Sequence, residues 1–398
     1  MTGPASEPDE AGGAGGSGET HALSVNSAVN EAKGFSEVGA LSEAGGAGDA
    51  VIGLDLGGST VRAVVTGPPG VVLHRVAVRH TARGYPAVLD LLERVVTQGR
   101  EAVEPRAVRA VGLAVAGWLS ADREQLLAGA NLGVTGAPLR RDLERRVGLP
   151  VIADNDGNAA ALAEARAGAG QQARMLVMLT LGTGVGGGIV ADGRLLTGAA
   201  GLGGELGHLP LVTGGPVCVC GGRGCLEVYA SGPAVARAAA QAGLTAEDVA
   251  AAARGGAPTA AQAGLAGADG GGVTAEDVMA GAGGGGLTAE DVVAAARGGA
   301  AAAVEALAAA GEAVGQAVAR LVPVLNPDLV LLGGGLAAGA TDLILIPARR
   351  ALAEATPLSN VVAAPPIQLA TGGADAGALG ASYLPDMNLS RSPAGAPA

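Results

Sequence analysis

The stretch Val51-Ile-Gly-Leu-Asp-Leu-Gly-Gly-Ser-Thr60 runs from an apolar segment directly into two glycines. Its first five residues predict a buried strand. A glycine turn after a strand lets the backbone approach an anion and direct N–H groups at it. Asp55 could hold Mg²⁺ through water, and the Ser59 hydroxyl could meet a phosphate. We therefore predict a phosphate-binding turn at Gly57 and Gly58, with a tight turn that binds no ligand as the alternative.

Two more glycine clusters follow apolar segments. They are Gly182-Thr183-Gly184-Val185-Gly186-Gly187-Gly188, after a predicted strand at 175–181, and Gly333-Gly334-Gly335, after a predicted strand at 328–332. Three such turns in separate parts of the chain are more than a content of 70 glycines in 398 residues supplies by chance. They predict a nucleotide site made of backbone N–H groups. Strand-turn geometry without a ligand is the alternative for each.

The lysine content agrees with such a site. Lys33, in a low-complexity segment, is the single lysine of the chain. Walker-A proteins, protein kinases and pyridoxal-phosphate enzymes each need a lysine at the site, so we exclude these three classes. Any phosphate must then be bound by backbone N–H groups, arginine or a metal ion.

Charge and hydropathy exclude further classes. The net charge is −12, and the aromatic residues are one Trp, three Tyr and one Phe, so we expect no nucleic-acid-binding face. Glycines interrupt the apolar runs before they reach about 20 residues, so we expect no membrane partner. The N-terminus shows no basic segment followed by an apolar one, so we expect a cytoplasmic protein.

Low-complexity segments flank and interrupt the folded part. Residues 1–49 predict a disordered acidic tail rich in Gly and Ala, and residues 386–398 a second disordered tail. Thr-Ala-Glu-Asp occurs three times within 243–299, and each copy predicts a helix N-terminus with acids in its first turn. We expect a repeat insertion at about 255–285 without chemistry.

The remaining segments alternate between strands and helices, which predicts an α/β fold with a core of Val, Leu, Ile and Ala. Further apolar runs predict strands at 61–67, 71–78, 110–116, 151–153 and 367–369. Periodic runs predict helices at 85–100, 138–147, 300–321, 344–355 and 374–383, and an alanine-rich helix follows Asn158.

The segment Asp154-Asn-Asp-Gly-Asn158 follows one of these strands. An aspartate at a strand end, beside an asparagine that can orient a hydroxyl, suits a general base, and here these residues are Asp156 and Asn155. The alternative is a turn that caps the next helix, and the segment alone favours that alternative.

The three cysteines lie within eight residues, at Cys218, Cys220 and Cys225, among glycines. This spacing predicts a metal site in a reducing compartment. His208, ten residues before Cys218, is the histidine nearest in sequence. We predict a structural Cys₃His zinc site, with unligated buried thiols as the alternative. Glu205, His208 and Glu227 bracket this site and suit sugar recognition, or are solvated loop residues.

In this order and spacing the motifs resemble the ROK family (repressor, open reading frame, kinase) of bacterial sugar kinases, and within it the glucokinases. The motifs are Asp55-Leu-Gly-Gly-Ser, Asn155-Asp-Gly-Asn, Leu181-Gly-Thr-Gly, Glu205-Leu-Gly-His and Cys218-Val-Cys-Gly-Gly-Arg-Gly-Cys-Leu-Glu. The resemblance covers about residues 50–385. It implies an actin-like ATPase (ribonuclease H-like) fold, a homodimer or higher homo-oligomer, and ATP-dependent phosphorylation of a hexose, first of all glucose, at its 6-hydroxyl.

The resemblance also implies domains. A small α/β domain would cover 50–157 and be completed by a C-terminal helix at 374–385. A large α/β domain would cover 158–373 and contain the zinc knuckle at 208–227.

The site residues follow by the same resemblance. Asp156 would take the proton of the sugar hydroxyl. The sugar would be bound by Asn155, Glu205, His208, Glu227, Asn131 and Gly117. ATP and Mg²⁺ would be bound by Asp55, Gly57, Gly58, Ser59, Gly182, Thr183, Gly184, Gly186, Gly187, Gly334 and Gly335. Structural Zn²⁺ would be bound by His208, Cys218, Cys220 and Cys225.

Two positions depart from the family pattern. Ser59 stands for threonine, and Gly157 stands for alanine. Glycine costs about 1 kcal/mol against alanine in a helix, so we expect a looser loop beside Asp156.

The alternative functions are a non-catalytic sugar-binding regulator, against which the retained Asp55 and Asp156 argue, and a kinase for an N-acetylhexosamine or fructose.

Overall fold

The computed structural model describes residues 49–68, 70–254, 286–357 and 359–389. The predicted N-terminal tail, apart from Asp49, and the predicted insertion at about 255–285 lie outside these ranges. The final helix continues to Leu389, so residues 386–389 are helical where the sequence predicted a tail. The first and last Thr-Ala-Glu-Asp copies start helices as predicted, with capping boxes at Thr245 and Thr288.

The elements below are numbered in chain order. The strands are β1 (Ala50–Leu56), β2 (Thr60–Gly67), β3 (Val71–Arg79), β4 (Val108–Val115), β5 (Trp118–Leu119), β6 (Leu126–Gly129), β7 (Val134–Ala137), β8 (Val151–Asn155), β9 (Met175–Leu181), β10 (Val185–Ala191), β11 (Arg194–Leu195), β12 (Leu329–Gly333) and β13 (Ile367–Leu369). The helices are α1 (Tyr85–Glu101), α2 (Leu139–Val147), α3 (Asp156–Ala167), α4 (Glu227–Ala230), α5 (Gly232–Gln241), α6 (Ala246–Ala253), α7 (Ala289–Arg297), α8 (Ala301–Leu325), α9 (Gly334–Ala340), α10 (Asp342–Ala355) and α11 (Ala376–Leu389). Short 3-10 turns cover Ala130–Leu132, Leu206–His208 and Gly373–Asp375.

The first sheet brings two predicted motifs to one edge. Its strand order is β3-β2-β1-β4-β8, in which β1, β4 and β8 run parallel. Leu56 is in register with Val115, and Val115 with Asn155. The Gly57-Gly58 turn and the catalytic candidate after β8 therefore leave the sheet at the same edge. A separate three-stranded sheet, β5-β6-β7, follows β4 and was not predicted, because its strands have two to four residues.

The second sheet has the order β11-β10-β9-β12-β13. Strands β9 and β12 run parallel, with Gly333 in register with Thr180, so the other two glycine clusters also meet at one edge. The predicted turn through Gly188 is wrong in its second half. Only 182–184 form the turn, because Val185–Ala191 pairs with β9 as a strand. Gly186 and Gly187 are thus sheet residues.

The strand glycines allow close packing instead. A Cβ at Gly188 would lie 2.6 Å from the Ala161 Cβ, and a Cβ at Gly187 would lie 2.8 Å from the Met178 carbonyl oxygen. The Gly188 position lets α3 lie directly on β10, and the Gly187 position lies against the backbone of β9. The composition of a strand with three glycines resembles that of a turn, and this is why the sequence pattern was misleading.

Helices α3 and α11 lie between the two sheets. Their apolar residues form one cluster with residues of β4, β9 and β12, such as Ala114, Leu176 and Leu331. Each sheet has a further core on its other side, and both consist of Leu, Ile, Val and Ala, as predicted. Gly53 and Gly112 lie beneath α11, where a Cβ would come within 1.9 and 1.8 Å of helix carbonyl oxygens.

In the described ranges, no helix on its own has the length and hydropathy needed to cross a bilayer. Helices α7 and α8 meet that test only when taken together, and they bend by 117° at their junction. Their residues Val292, Leu307 and Val314 are fully buried in the core of the second sheet.

Candidate active site

Asn155 and Asp156 stand at the junction of β8 and α3. The Asn155 side chain caps the helix, because its Oδ1 accepts hydrogen bonds from the backbone N–H groups of Gly157 (2.8 Å) and Asn158 (3.3 Å). Its Nδ2 donates to the Gly117 carbonyl at 3.3 Å. The predicted cap and the predicted catalytic position therefore coexist, since capping by Asn155 fixes the start of the helix that carries Asp156.

Asp55, near the end of β1, and Asp156, directly after β8, have raised pKa values. Burial raises the pKa of Asp156 to about 7, with the charge of Asp55 as the next contribution. Burial also raises the pKa of Asp55 to about 6, which Arg62 on the neighbouring strand partly offsets. A pKa near neutral pH suits a general base.

Gly157 fits tightly rather than loosely. A Cβ at this position would lie 2.4 Å from the Gly187 carbonyl oxygen and 2.7 Å from the Gly187 nitrogen. The expectation of a loose loop beside Asp156 is therefore not what the packing shows. The glycine lets the first turn of α3 rest on the backbone of β10.

Gly157→Ala is expected to lower the free energy of unfolding by about 1–3 kcal/mol, because the backbone atoms it meets must move. Gly335→Ala is the matched control, since Gly335 also lies in the first turn of a helix but has no atom within 4 Å of the added Cβ. It should be neutral or slightly stabilising. Urea unfolding of both variants checks this, and equal stabilities would contradict it.

The first glycine turn is held by side chains that were not among the predicted site residues. Gly57 N–H donates to the Thr60 carbonyl at 3.1 Å. The His80 Nε2 lies 3.0 Å from the Gly57 carbonyl oxygen, and Arg83 Nη1 donates to the Gly58 carbonyl at 3.0 Å. Both side chains follow β3, and no motif marks either of them. Asn131 lies beside this turn, with its Cβ 2.7 Å from a Cβ built on Gly58. Ser59 is exposed.

The second turn is tied to Glu227. Gly182 N–H donates to the Gly184 carbonyl at 3.0 Å and closes the turn over Thr183. The Glu227 Oε2 accepts from the Val185 N–H at 3.0 Å, and its Oε1 lies 3.7 Å from the Cys218 Sγ. Glu227 therefore links the glycine turn to the cysteine knuckle.

The third cluster begins α9. Gly334 has φ = 85° and is in contact with the Leu181 backbone, where a Cβ would lie 2.3 Å from the carbonyl oxygen. Only glycine suits this position. Gly335 is exposed in the first turn of the helix.

The four predicted metal ligands come together. One ligand atom from each of His208, Cys218, Cys220 and Cys225 lies within 4.8 Å of all the others. The Cys220 and Cys225 sulfurs are 3.7 Å apart, and the Cys218 sulfur is 3.5 Å from the His208 Nδ1. Tetrahedral zinc with its usual bond lengths requires about 3.8 Å between sulfurs and about 3.6 Å between sulfur and nitrogen. The donor set therefore fits a tetrahedral metal ion.

The other ring nitrogen of His208 faces Glu205, a second candidate sugar-binding residue. Its Nε2 is 3.9 Å from the Glu205 Oε2. Trp118 lies beside both residues, because its ring packs edge-on to the His208 ring with centroids 5.9 Å apart and its side chain lowers the pKa of Glu205. Burial raises the pKa of Glu205 despite the opposing effect of His208. Trp118 was not among the predicted site residues, although a single tryptophan in a chain so poor in aromatics was a signal.

Comparisons with known proteins identify the family of the chain. The family profile described as "ROK family" matches residues 51–387. A glucokinase from Streptomyces coelicolor is 38% identical over 192 residues, a match that spans 48% of this chain and 59% of that protein. A glucokinase from Halalkalibacterium halodurans is 32% identical over 339 residues, or 84% of this chain and 94% of that protein.

A solved structure gives the same fold. The ROK family glucokinase from Streptomyces griseus, in complex with glucose and AMPPNP, matches with a TM-score of 0.68 and 31% identity, covering 84% of this chain and 98% of that chain. With the two sheets and the interposed helices described above, this likeness confirms the predicted actin-like ATPase fold of the α/β class.

Proposed function

The chain belongs to the ROK family, and from that premise we propose that it transfers the γ-phosphoryl group of ATP to the 6-hydroxyl of a hexose, with glucose as the first candidate substrate. The observation that carries the proposal is the placement of Asp156. It starts α3 at the edge where the Gly57-Gly58 turn also ends, and its pKa is raised to about 7.

The chemistry follows from the residues at this edge. The Asp156 carboxylate takes the proton of the 6-hydroxyl while the sugar oxygen forms a bond to the γ-phosphorus. The bond from that phosphorus to the β–γ bridging oxygen breaks, and ADP leaves with its electron pair. Phosphoryl transfer needs positioning and charge stabilisation more than covalent chemistry. The glycine turns supply N–H groups for this purpose without a lysine.

Two metal ions fit the proposal. Asp55, at the end of β1, has the oxygen ligands that Mg²⁺ prefers, and the ion would neutralise charge on the phosphates. Zn²⁺ would be held by His208 and the three cysteines and would be structural, because four protein ligands leave no open position. His208 would bind zinc through Nδ1 and turn Nε2 toward the sugar, beside Glu205.

The direct test measures ADP release with ATP, Mg²⁺ and a panel of sugars that includes glucose, fructose and N-acetylhexosamines. Sugar-dependent ADP release with formation of a hexose 6-phosphate supports the proposal. Glucose binding without ADP release would overturn it in favour of a regulator.

The pH dependence of kcat/KM for the sugar is expected to show an acid limb. Asp156 accepts a proton only as the carboxylate, so kcat/KM falls as pH falls below the raised pKa of about 7. The charge of Asp55 is one cause of the raised Asp156 pKa, and a cation bound at Asp55 would neutralise it. The acid limb of kcat/KM is therefore expected between the ordinary aspartate pKa of about 4 and about 7. Rates at saturating ATP across this range check it. A profile without an acid limb above pH 4 would contradict the assignment.

A further inference from the structure

Arg123 occupies a loop that holds it in an unusual conformation. Its φ of 62° lies in the left-handed region, which non-glycine residues rarely adopt. The loop supports it, since Arg123 N–H donates to the Ser120 carbonyl at 2.8 Å. The Asp122 carboxylate accepts from the Ser120 hydroxyl at 2.5 Å and from the Glu124 N–H at 3.0 Å. Backbone strain of this kind persists only where surrounding contacts fix it.

The Arg123 guanidinium contacts two separate elements. Its Nη2 is 3.1 Å from the Asp154 Oδ1 at the end of β8, and its Nη1 donates to the Gly201 carbonyl at 3.0 Å. The exposed fractions of the Arg123 and Asp154 side chains are 15% and 10%. An ion pair this buried is costly to break, because the remaining charge loses its partner.

Through Asp154, Arg123 is connected to the segment that contains Asp156, the proposed general base. The Asp154 Oδ1 also accepts from the Asn155 N–H at 2.8 Å and from the Asn158 Nδ2 at 2.9 Å. The carboxylate that Arg123 neutralises therefore orients both ends of the segment that contains Asp156.

Through Gly201, Arg123 is connected to Glu205, a candidate sugar-binding residue. Gly201 lies in the segment 196–205, which ends at Glu205, and the charge of Arg123 acts on that carboxylate. A Cβ at Gly201 would lie 2.2 Å from the Arg123 Nη1, so the guanidinium fills the space beside this glycine.

We propose that Arg123 is a positioning residue that couples the segment 196–205 to the start of α3, so that Glu205 and Asp156 are held in a fixed relation. The proposal rests on the proposed function for its kinetic consequence. Its structural part, the fixed relation of the two segments, does not depend on turnover.

Arg123→Ala is expected to lower kcat/KM for the sugar by about ten- to hundredfold, with a higher sugar KM and a lower kcat, because a charged hydrogen-bond partner is lost on each side. The KM for ATP should stay within about twofold, since Arg123 does not contact a glycine turn. Arg123→Lys should recover part of the loss, as an ammonium group reaches one partner but cannot span both. Arg174→Ala, which removes an exposed ion pair with Asp192, is the control.

The loop side offers a second, matched pair of variants. Gly201→Ala and Gly198→Ala both place alanine at a left-handed position, with φ of 77° and 68°. Only the first displaces the guanidinium, because the nearest atom to a Cβ at Gly198 is 3.6 Å away. Gly201→Ala should therefore reproduce the kinetic defect of Arg123→Ala, and Gly198→Ala should show less of it. Equal effects of the two variants would overturn the role of this contact.

Trp118, the single tryptophan, gives a readout without turnover. Its ring packs edge-on to the ring of His208, three residues after Glu205, so release of the segment 196–205 should shift the Trp118 fluorescence to longer wavelength and increase quenching by acrylamide. If the wild type phosphorylates no sugar, the proposed function fails, while this shift in Arg123→Ala still supports the coupling. A folded Arg123→Ala with wild-type emission and kcat/KM within twofold overturns the proposal. If Arg123→Ala does not fold, Arg123→Lys is the test, and its wild-type behaviour in both measurements overturns it.

Discussion

Asp156→Asn is expected to lower kcat for hexose phosphorylation by about 10²- to 10⁴-fold, because the amide cannot accept the proton of the 6-hydroxyl. The change keeps the shape of the side chain. The cap that starts α3 also remains, since it is made by Asn155. Sugar binding, followed by the fluorescence of Trp118, should therefore persist while ADP release is lost.

Stability provides an internal check on this variant. The folded-state pKa of Asp156 lies above its unfolded value of about 3.8, so the folded protein binds the proton more tightly. Proton binding by Asp156 therefore adds to the free energy of unfolding below about pH 4, and this addition is lost as pH rises to about 7. Asp156→Asn should remove this dependence of the free energy of unfolding on pH. Asp192→Asn, on the surface, should change neither the rate of hexose phosphorylation nor this pH dependence. Turnover within tenfold of wild type in a folded Asp156→Asn would refute its role as the base.

Cys225→Ala is expected to abolish zinc binding and to reduce the free energy of unfolding by on the order of 4–5 kcal/mol. Cys225 is buried and is one of the four proposed ligands, and its backbone also pairs with Pro210. The knuckle positions His208 and Glu227, so the sugar KM should rise together with the loss of metal. Metal analysis, thermal unfolding and sugar titration check the three effects.

Val219→Ala is the matched control for the knuckle, because Val219 lies between two ligands and is 46% exposed. It should keep one zinc per chain and an unchanged sugar KM. A zinc-free Cys225→Ala protein with wild-type stability and activity would show that the four residues have no structural role.

Much of the candidate site was predictable because its residues occur as short motifs at strand ends. The Asp55 turn and the Asn155-Asp156 pair are adjacent in sequence to apolar strands, and parallel pairing brings such ends together. The cysteine spacing was equally informative, since three thiols within eight residues fit few structures other than a metal site.

The site residues that the sequence did not predict are isolated residues that belong to no motif. His80 and Arg83 hold the first turn from a loop 23 and 25 residues away, and Arg123 reaches two elements from a strained loop. No spacing rule identifies such residues, because their partners are set by tertiary packing. The glycines 186–188 were misread for a related reason, since Gly188 packs against Ala161 of α3 and Gly187 lies close to Leu206, both distant in sequence.

The position of α11 has a consequence for folding during synthesis. This helix is the last described element of the chain, yet it covers Gly53 and Gly112 in the central strands of the first sheet. On the ribosome, the first sheet therefore cannot be covered on that face until residues 376–389 have emerged. Contacts between the two ends of a chain form slowly, because a long loop must close. Nascent chains that stop before α11 leave an apolar, glycine-lined sheet face open, which is the surface that chaperones bind and that aggregation starts from.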